Sequence, residues 1–130
     1  MITRELIAPK SIVVVGASNN TTKPGGKLLK NLLDNNFKGD LFVVNPGSDK
    51  VQGVKSYPSV NDLPAVEMAV LAIPAAACVE AVEILATKKG TKGFIIISAG
   101  FSEESEEGRI LEHKIVKIIE DNNACLIGPN

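Results

Sequence analysis

Residues 11–33 read SIVVVGASNNTTKPGGKLLKNLL, and most of the architecture is legible from them. Ser11 to Val15 is a continuous apolar run that stops at Gly16, the pattern of a strand buried on both faces of a parallel sheet. Leu28, Leu29, Leu32, Leu33 and, further on, Phe37 fall on one helical stripe. Pro24 suits the first turn of that helix, where its missing N–H costs nothing. Strand, glycine-bearing loop and helix in this order make an anion site, because the first N–H groups of a helix have no partner within it. Gly16 permits a sharp exit from the strand, Ser18 offers a hydroxyl and Lys23 a cation. Gly25 and Gly26 leave room for phosphate oxygens against the helix start. The loop Gly16 to Gly26 therefore reads as the grip for a phosphate-bearing nucleotide cofactor.

Four more apolar runs follow. Asp40 to Val44 ends at Asn45-Pro46, and Met68 to Ile73 ends at Pro74. Phe94 to Ile97 ends at Ser98-Ala99-Gly100, and Ala124 to Ile127 ends at Gly128-Pro129. Helical segments lie between them: Ala75 to Lys88 after Pro74, and a third stripe of Ile110, Leu111, Ile115, Ile118 and Ile119. Glu103, Glu104, Glu106 and Glu107 fall in the first turns of the latter, where the helix dipole favours acids. Between Gly47 and Pro64 the pattern predicts a loop with a short extended piece near Val54 to Tyr57 and a helical turn around Val60 to Leu63. This order implies an α/β domain with a Rossmann-like, doubly wound, mostly parallel five-stranded sheet in the order 3-2-1-4-5. Residues 1–130 form one domain, and the chain stops directly after its fifth strand. It is expected to be the N-terminal piece of a longer protein, with an apolar patch beside that strand as the mark.

Composition narrows the class. The chain has 130 residues, 45% apolar and 22% charged, which suits one soluble domain with a single core. A net charge of -1 argues against a broad nucleic-acid surface. No apolar stretch approaches a transmembrane length and Met1 to Lys10 lacks the apolar region of a signal peptide, so a cytoplasmic protein is expected, with no membrane partner. Cys78 and Cys125 have no metal-type spacing and read as free buried thiols. His113 lies mid-helix between Glu112 and Lys114 and reads as a surface residue. No catalytic or metal-ligating set emerges.

The common phosphate fingerprints do not fit. A dinucleotide motif needs a second glycine at position 18, where Ser18 stands, and an acid at the end of strand two, where Asn45 stands. A P-loop needs Ser or Thr after Gly26-Lys27, and Leu28 is there. At the other strand ends, Ile73-Pro74 offers an apolar wall for a base or a pantetheine arm. Ser98-Ala99-Gly100-Phe101 offers a hydroxyl and open backbone.

Together these turns resemble the CoA-binding domain of NDP-forming acyl-CoA synthetases, the superfamily that includes the succinyl-CoA synthetase α subunit. The resemblance spans nearly the whole chain. It rests on Val15-Gly16-Ala17-Ser18 with Lys23-Pro24-Gly25-Gly26, then Val44-Asn45-Pro46, Tyr57-Pro58-Ser59, Ala72-Ile73-Pro74-Ala75, Ile97-Ser98-Ala99-Gly100-Phe101 and Leu126-Ile127-Gly128-Pro129-Asn130. It implies coenzyme A as the ligand, its phosphates held by Gly16, Ala17, Ser18, Lys23, Pro24 and Gly25. Asn45 and Pro46 would contribute from the second turn. The family's lysine directly after that pair is replaced here by Gly47, and the nearest lysine is Lys50. Ile73, Pro74, Ile97, Ser98 and Ala99 would lie along the pantetheine arm. The resemblance further implies a parent enzyme that joins an acid to CoA with NTP, releasing NDP and phosphate, with an ATP-grasp domain or subunit as partner. The family's phosphorylated histidine belongs to a later domain, and His113 does not match its context, so these residues are expected to bind CoA without turnover. The alternatives are a stand-alone or regulatory CoA-binding protein and, at a distance, an NADP-linked oxidoreductase domain.

Overall fold

The computed structural model describes residues 2–98, 101 and 105–129. Ala99, Gly100, Glu103, Glu104 and Asn130, which the sequence reading uses, lie outside the described residues. A short helix α1 (Arg4–Ile7) precedes strand β1 (Ser11–Val15), helix α2 (Pro24–Asp34) and strand β2 (Asp40–Val44). Strands β3 (Lys50–Val51) and β4 (Val54–Tyr57) follow, then a 3-10 turn at Val60–Asp62, β5 (Met68–Leu71), α3 (Ala75–Lys88), β6 (Gly93–Ile96), α4 (Glu106–Asp121) and β7 (Cys125–Ile127).

The sheet is α/β and mostly parallel, as the runs predict, but it has seven strands in the order β3-β4-β2-β1-β5-β6-β7. The expected five-stranded order 3-2-1-4-5 is corrected in one respect. The third apolar run, Met68–Leu71, pairs with β1 and not with β2. The outer place beside β2 goes to β4, which pairs with it in parallel through Val43–Ser56 and Val44–Tyr57. Sequence reading demotes β4 to an extended piece because Lys55 and Ser56 interrupt its apolar character, as befits a strand near the sheet margin. Strand β3 pairs antiparallel with β4 through a two-residue turn, Gln52-Gly53, whose φ angles are +49° and +84°. That is the primed turn of a tight hairpin.

The core sits on both faces of the central strands. Every residue of β1 and β5 is buried, which is why their sequences run apolar without alternation. On one face Val13, Val15, Leu71 and Phe94 pack with Val82, Leu85, Phe101, Ile115 and Ile119. On the other, Val14 and Val43 pack with Leu29 of α2. Two expected stripe members sit at the surface: Leu33 and Ile110 are exposed, because each lies at the edge of its helix's apolar arc. Phe37 falls beyond the end of α2 and packs on Ile12, Met68 and Val70 from the following turn. Ser105 caps α4 by accepting from the Gly108 amide at 2.9 Å, with Glu106 and Glu107 in the first turn. His113 is exposed on α4, and Cys78 and Cys125 are free and buried. Strand β7 is a sheet edge, and apolar surface lies there: Ile127 is exposed, beside a shallow cleft of Val116, Ile119, Ala124, Cys125 and Leu126. Among the described residues no helix is long and apolar enough to cross a membrane.

Candidate functional site

Strand order reverses at β1, whose neighbours β2 and β5 lead to opposite edges. Ligands of open parallel sheets sit at such a switch point, outside the carboxyl ends of the strands. The ladder there continues past the strands. Gly16 N–H donates to Val44 O (3.0 Å), Ala72 N–H to Val15 O (2.8 Å) and Ile97 N–H to Leu71 O (3.0 Å). The turns that follow are thus anchored to the sheet at their first residue.

Two adjoining clefts open at this edge. The first, of about 330 Å³, is formed by Gly16, Ala17, Ser18, Lys23, Pro24 and Gly25 on one side, with Asn45, Pro46, Ala72 and Ile73 opposite. The second, of about 400 Å³, shares Pro24, Ala72 and Ile73 with the first and continues along Pro74, Ile97 and Ser98. The structure thus gathers at one place Gly16, Ala17, Ser18, Lys23, Pro24, Gly25, Asn45, Pro46, Ile73, Pro74, Ile97 and Ser98. Ala99 lies outside the described residues. Lys50 lines neither cleft; it stands opposite Lys55 on the β3–β4 hairpin.

The glycines act by letting backbones touch. A Cβ on Gly25 would lie 2.2 Å from the Gly16 carbonyl oxygen, and one on Gly26 would lie 2.1 Å from that of Asn20. Helix α2 is therefore seated directly on the loop. Gly26 lines neither cleft, so the reading that it leaves space for phosphate is corrected: its missing side chain is needed for packing against Asn20 and Ser18. Gly16 has φ +92°, and its α-carbon faces the Ala72 carbonyl.

The donors in and next to the first cleft are backbone amides and one cation; Ala17, Ser18, Lys23 and Gly25 line it, and Asn19 and Gly26 adjoin them in sequence. Among the described residues, the N–H groups of Ala17, Ser18, Asn19, Gly25 and Gly26 donate to no protein acceptor. Lys23 is exposed and its ammonium makes no ion pair or hydrogen bond among them. The Ser18 hydroxyl accepts from the Asn20 amide at 2.9 Å, which leaves its own proton free to donate. This set favours an anion.

Two carboxamides hold the loop from behind. Asn45 Nδ2 donates to Ala17 O (2.9 Å) while its Oδ1 accepts from the Gly47 amide (2.7 Å). The side chain that stands where a dinucleotide site has its acid is thus committed to the protein's own backbone. Gln52, which sequence reading passes over, donates from Nε2 to Ser18 O (2.8 Å) and Gly26 O (2.9 Å). Its backbone N–H reaches Asn19 Oδ1 (2.7 Å). No local signal marks this residue, since its partners lie 26 to 34 positions away.

The second cleft is largely apolar. Ile97 is 42% exposed at its rim, and Ile73 is half-buried. Behind the wall, the Cys78 thiol lies 3.7 Å from Ile73 O and 3.8 Å from Ser98 Oγ. Burial pushes this thiol above its ordinary pKa, which the contact with Ser98 partly opposes. It is a packed, protonated group.

A doubly wound sheet with a glycine-seated helix start and four strand-end turns around two adjoining clefts defines a Rossmann-like ligand-binding domain. More narrowly, the chain belongs to the CoA binding domain family, whose model matches residues 10–130. It is 42% identical over 98% of its length to an ADP-forming acetate–CoA ligase II of Archaeoglobus fulgidus. The chain spans 19% of that relative, and between 17% and 28% of the curated relatives it matches. Among solved structures it resembles the dinucleotide-forming acetyl-coenzyme A synthetase 1 of Ca. Korarchaeum cryptofilum, with a TM-score of 0.84 and 35% identity over 94% of this chain and 26% of that one. A conserved hypothetical protein of Pyrococcus furiosus matches with a TM-score of 0.67 and 30% identity, over 90% of both chains.

Proposed function

We propose that this chain binds coenzyme A and serves as the CoA-binding domain of an NDP-forming acyl-CoA synthetase. The observation that carries the reading is the pairing of an anion-ready cleft with an apolar one along a single sheet edge, in a member of the CoA binding domain family. CoA has both chemistries: a phosphorylated nucleotide at one end and a long uncharged arm at the other. The amides of residues 17–19 and 25, the Ser18 hydroxyl and Lys23 hold the phosphates. Asn45 and Pro46 border the nucleotide end. Ile73, Pro74, Ile97, Ser98 and Ala99 guide the pantetheine arm.

The domain's part in the reaction is to hold and orient its substrate, and the chemistry belongs to the rest of the synthetase. In the whole protein an acid, CoA and NTP become acyl-CoA, NDP and phosphate, with an ATP-grasp domain or subunit as the partner. In this reading the apolar edge at β7 faces the remainder of that assembly. The protein works in the cytoplasm.

Titration calorimetry tests the ligand. CoA is expected to bind and NADPH is not; heat with NADPH and none with CoA overturns the reading. A second reading, a stand-alone CoA-binding protein, is favoured by the Pyrococcus furiosus chain that matches over 90% of its own length. The gene sequence beyond Asn130 separates the two, since a synthetase continues into further domains.

A further inference from the structure

A peptide group that offers its N–H to an anion must turn its carbonyl the other way, because the two point in opposite directions across a trans peptide. Carbonyl groups facing the cleft would repel phosphate as effectively as amides attract it. In the loop after β1 the carbonyls in question are those of Ala17 and Ser18, since they share peptide planes with the amides of Ser18 and Asn19.

Both carbonyls are taken by carboxamides from outside the loop. Asn45 Nδ2 holds Ala17 O at 2.9 Å, and Gln52 Nε2 holds Ser18 O at 2.8 Å. The same Gln52 nitrogen reaches Gly26 O, 2.9 Å away in the first turn of α2, so both of its protons are used. Its backbone N–H holds the side chain of Asn19. Gln52 therefore touches the loop at residues 18 and 19 and the helix at residue 26. The partner amides of Ser18 and Asn19 donate to nothing among the described residues.

Gln52 itself is held in an unusual place. It is the first residue of the two-residue turn between β3 and β4, with φ +49°. Local preference would put Asn or Gly there. Asn would be shorter by one methylene and Gly would carry no amide, so neither offers the reach that the side chain uses here.

We infer that Gln52 is a positioning residue for anion binding: the β3–β4 hairpin uses it to turn the Ser18–Asn19 peptide so that its N–H faces the phosphate. The inference rests on the reading of the Gly16–Gly26 loop as the CoA phosphate grip. It adds to that reading a residue outside every segment that lines the cleft.

The test compares the wild-type chain with Gln52→Met, which keeps length and loses both donors. The ligands are CoA and pantetheine, the latter lacking any phosphate, followed by calorimetry for the first and amide shift titration for the second. Gln52→Met is expected to bind CoA at least about tenfold more weakly, the scale of one or two lost, partly buried hydrogen bonds. Its pantetheine affinity is expected to match wild type. Equal CoA affinity in the two chains overturns the positioning role, as does a parallel loss for pantetheine, which would mean general loosening. Wild type failing to bind CoA at all would instead overturn the site itself. Nitrogen-edited spectra of the wild-type chain give a reading that needs no variant. On adding CoA, the Ser18 and Asn19 amides are expected to be among those that shift most, and their remaining unmoved in a chain that binds CoA overturns the inference.

Discussion

Gly25 and Gly16 meet backbone to backbone, so close that a Cβ on Gly25 would stand 2.2 Å from the Gly16 carbonyl oxygen. This contact sets how near the helix start comes to the strand-end turn. Alanine at position 25 would gain about 1 kcal/mol of helix propensity. Against it stands a clash with backbone, which cannot swing aside as a side chain can, and overpacking of this kind costs about 1–3 kcal/mol. The clash wins. Gly25→Ala is expected to lower the melting temperature by several degrees and to abolish measurable CoA binding. Gly47→Ala, whose Cβ would meet only Asn45 Oδ1 at 3.4 Å, is the control and is expected to melt within about a degree of wild type. Both are read from thermal melts and calorimetry, and a Gly25→Ala chain that binds CoA normally contradicts the seating argument.

Asn45 is the position at which a dinucleotide-binding sheet would carry an acid. Here its amide nitrogen donates to Ala17 O and its oxygen accepts from Gly47 N–H, so the side chain braces two loops. Asn45→Asp would replace the donor with a carboxylate oxygen facing a carbonyl. The expected cost is about 1–3 kcal/mol, the range for an unmade hydrogen bond with its partner left behind. The variant is not expected to acquire NAD binding, because its other oxygen is still claimed by Gly47. Denaturant titration measures the first expectation and fluorescence titration with NADH the second. Tight NADH binding would show that the ribose position is open.

Lys23 is the cation nearest the helix start, and it makes no ion pair among the described residues. Removing it therefore separates charge from backbone. Lys23→Ala is expected to leave the melting temperature unchanged while weakening CoA binding several-fold and flattening its salt dependence, since one screened attraction is gone. If affinity and salt slope are unchanged, the grip consists of amides and Ser18 alone.

How far the sequence carries depends on how local each feature is. Ala75–Lys88 can be bounded from sequence because Pro74 starts it and most of its residues, alanines above all, are strong helix formers. Strands β1 and β5 are legible because burial on both faces removes every polar residue but Ser11. The β3–β4 hairpin is not, since Lys50–Val51 is two residues long and Gln52-Gly53 lacks the usual Asn or Asp at its first turn position. Missing it displaces the third run in the predicted strand order. At the site, the parallel-sheet rule places the strand-end segments, and the resemblance to the CoA-binding domain narrows them to residues of which twelve line the two clefts. What stays hidden is everything set by partners far along the chain: Gln52 on Ser18 and Gly26, and the backbone of Asn20 against Gly26.

At the opposite end of the sheet, Glu67 ties the N-terminal segment to the start of β5. Its carboxylate accepts from the Lys10 amide at 2.8 Å and from Arg4 at 2.9 Å, and these contacts hold its pKa below the ordinary carboxylate value. A carboxyl whose pKa is lowered by folding contributes stability above its unfolded pKa, near 4.3 for a free glutamate, and loses it as pH falls through the lowered value. The carboxylate is partly open to solvent, which screens these contacts, so the contribution is small. Melting temperatures at pH about 7 and about 3 are expected to differ less in Glu67→Gln than in wild type. A larger acid sensitivity in the variant would reverse the sign.

Cys78 lies against the wall of the apolar cleft, one of two free cysteines in the chain. It invites a reading as a reactive thiol, and its surroundings argue against one. The side chain is fully buried, and burial pushes its pKa up, so the thiolate that would attack a reagent or a disulfide is scarce at neutral pH. Cys125 is buried at the other edge of the sheet. The folded chain is therefore expected to react with no equivalent of a water-soluble thiol reagent over minutes at pH about 7.5, and with two after denaturation. Adding CoA should leave the folded-state result unchanged, since Cys78 stands behind the cleft wall. Rapid labelling of a single cysteine in the native chain, suppressed by CoA, would place that thiol in the cleft and contradict the packing described for it.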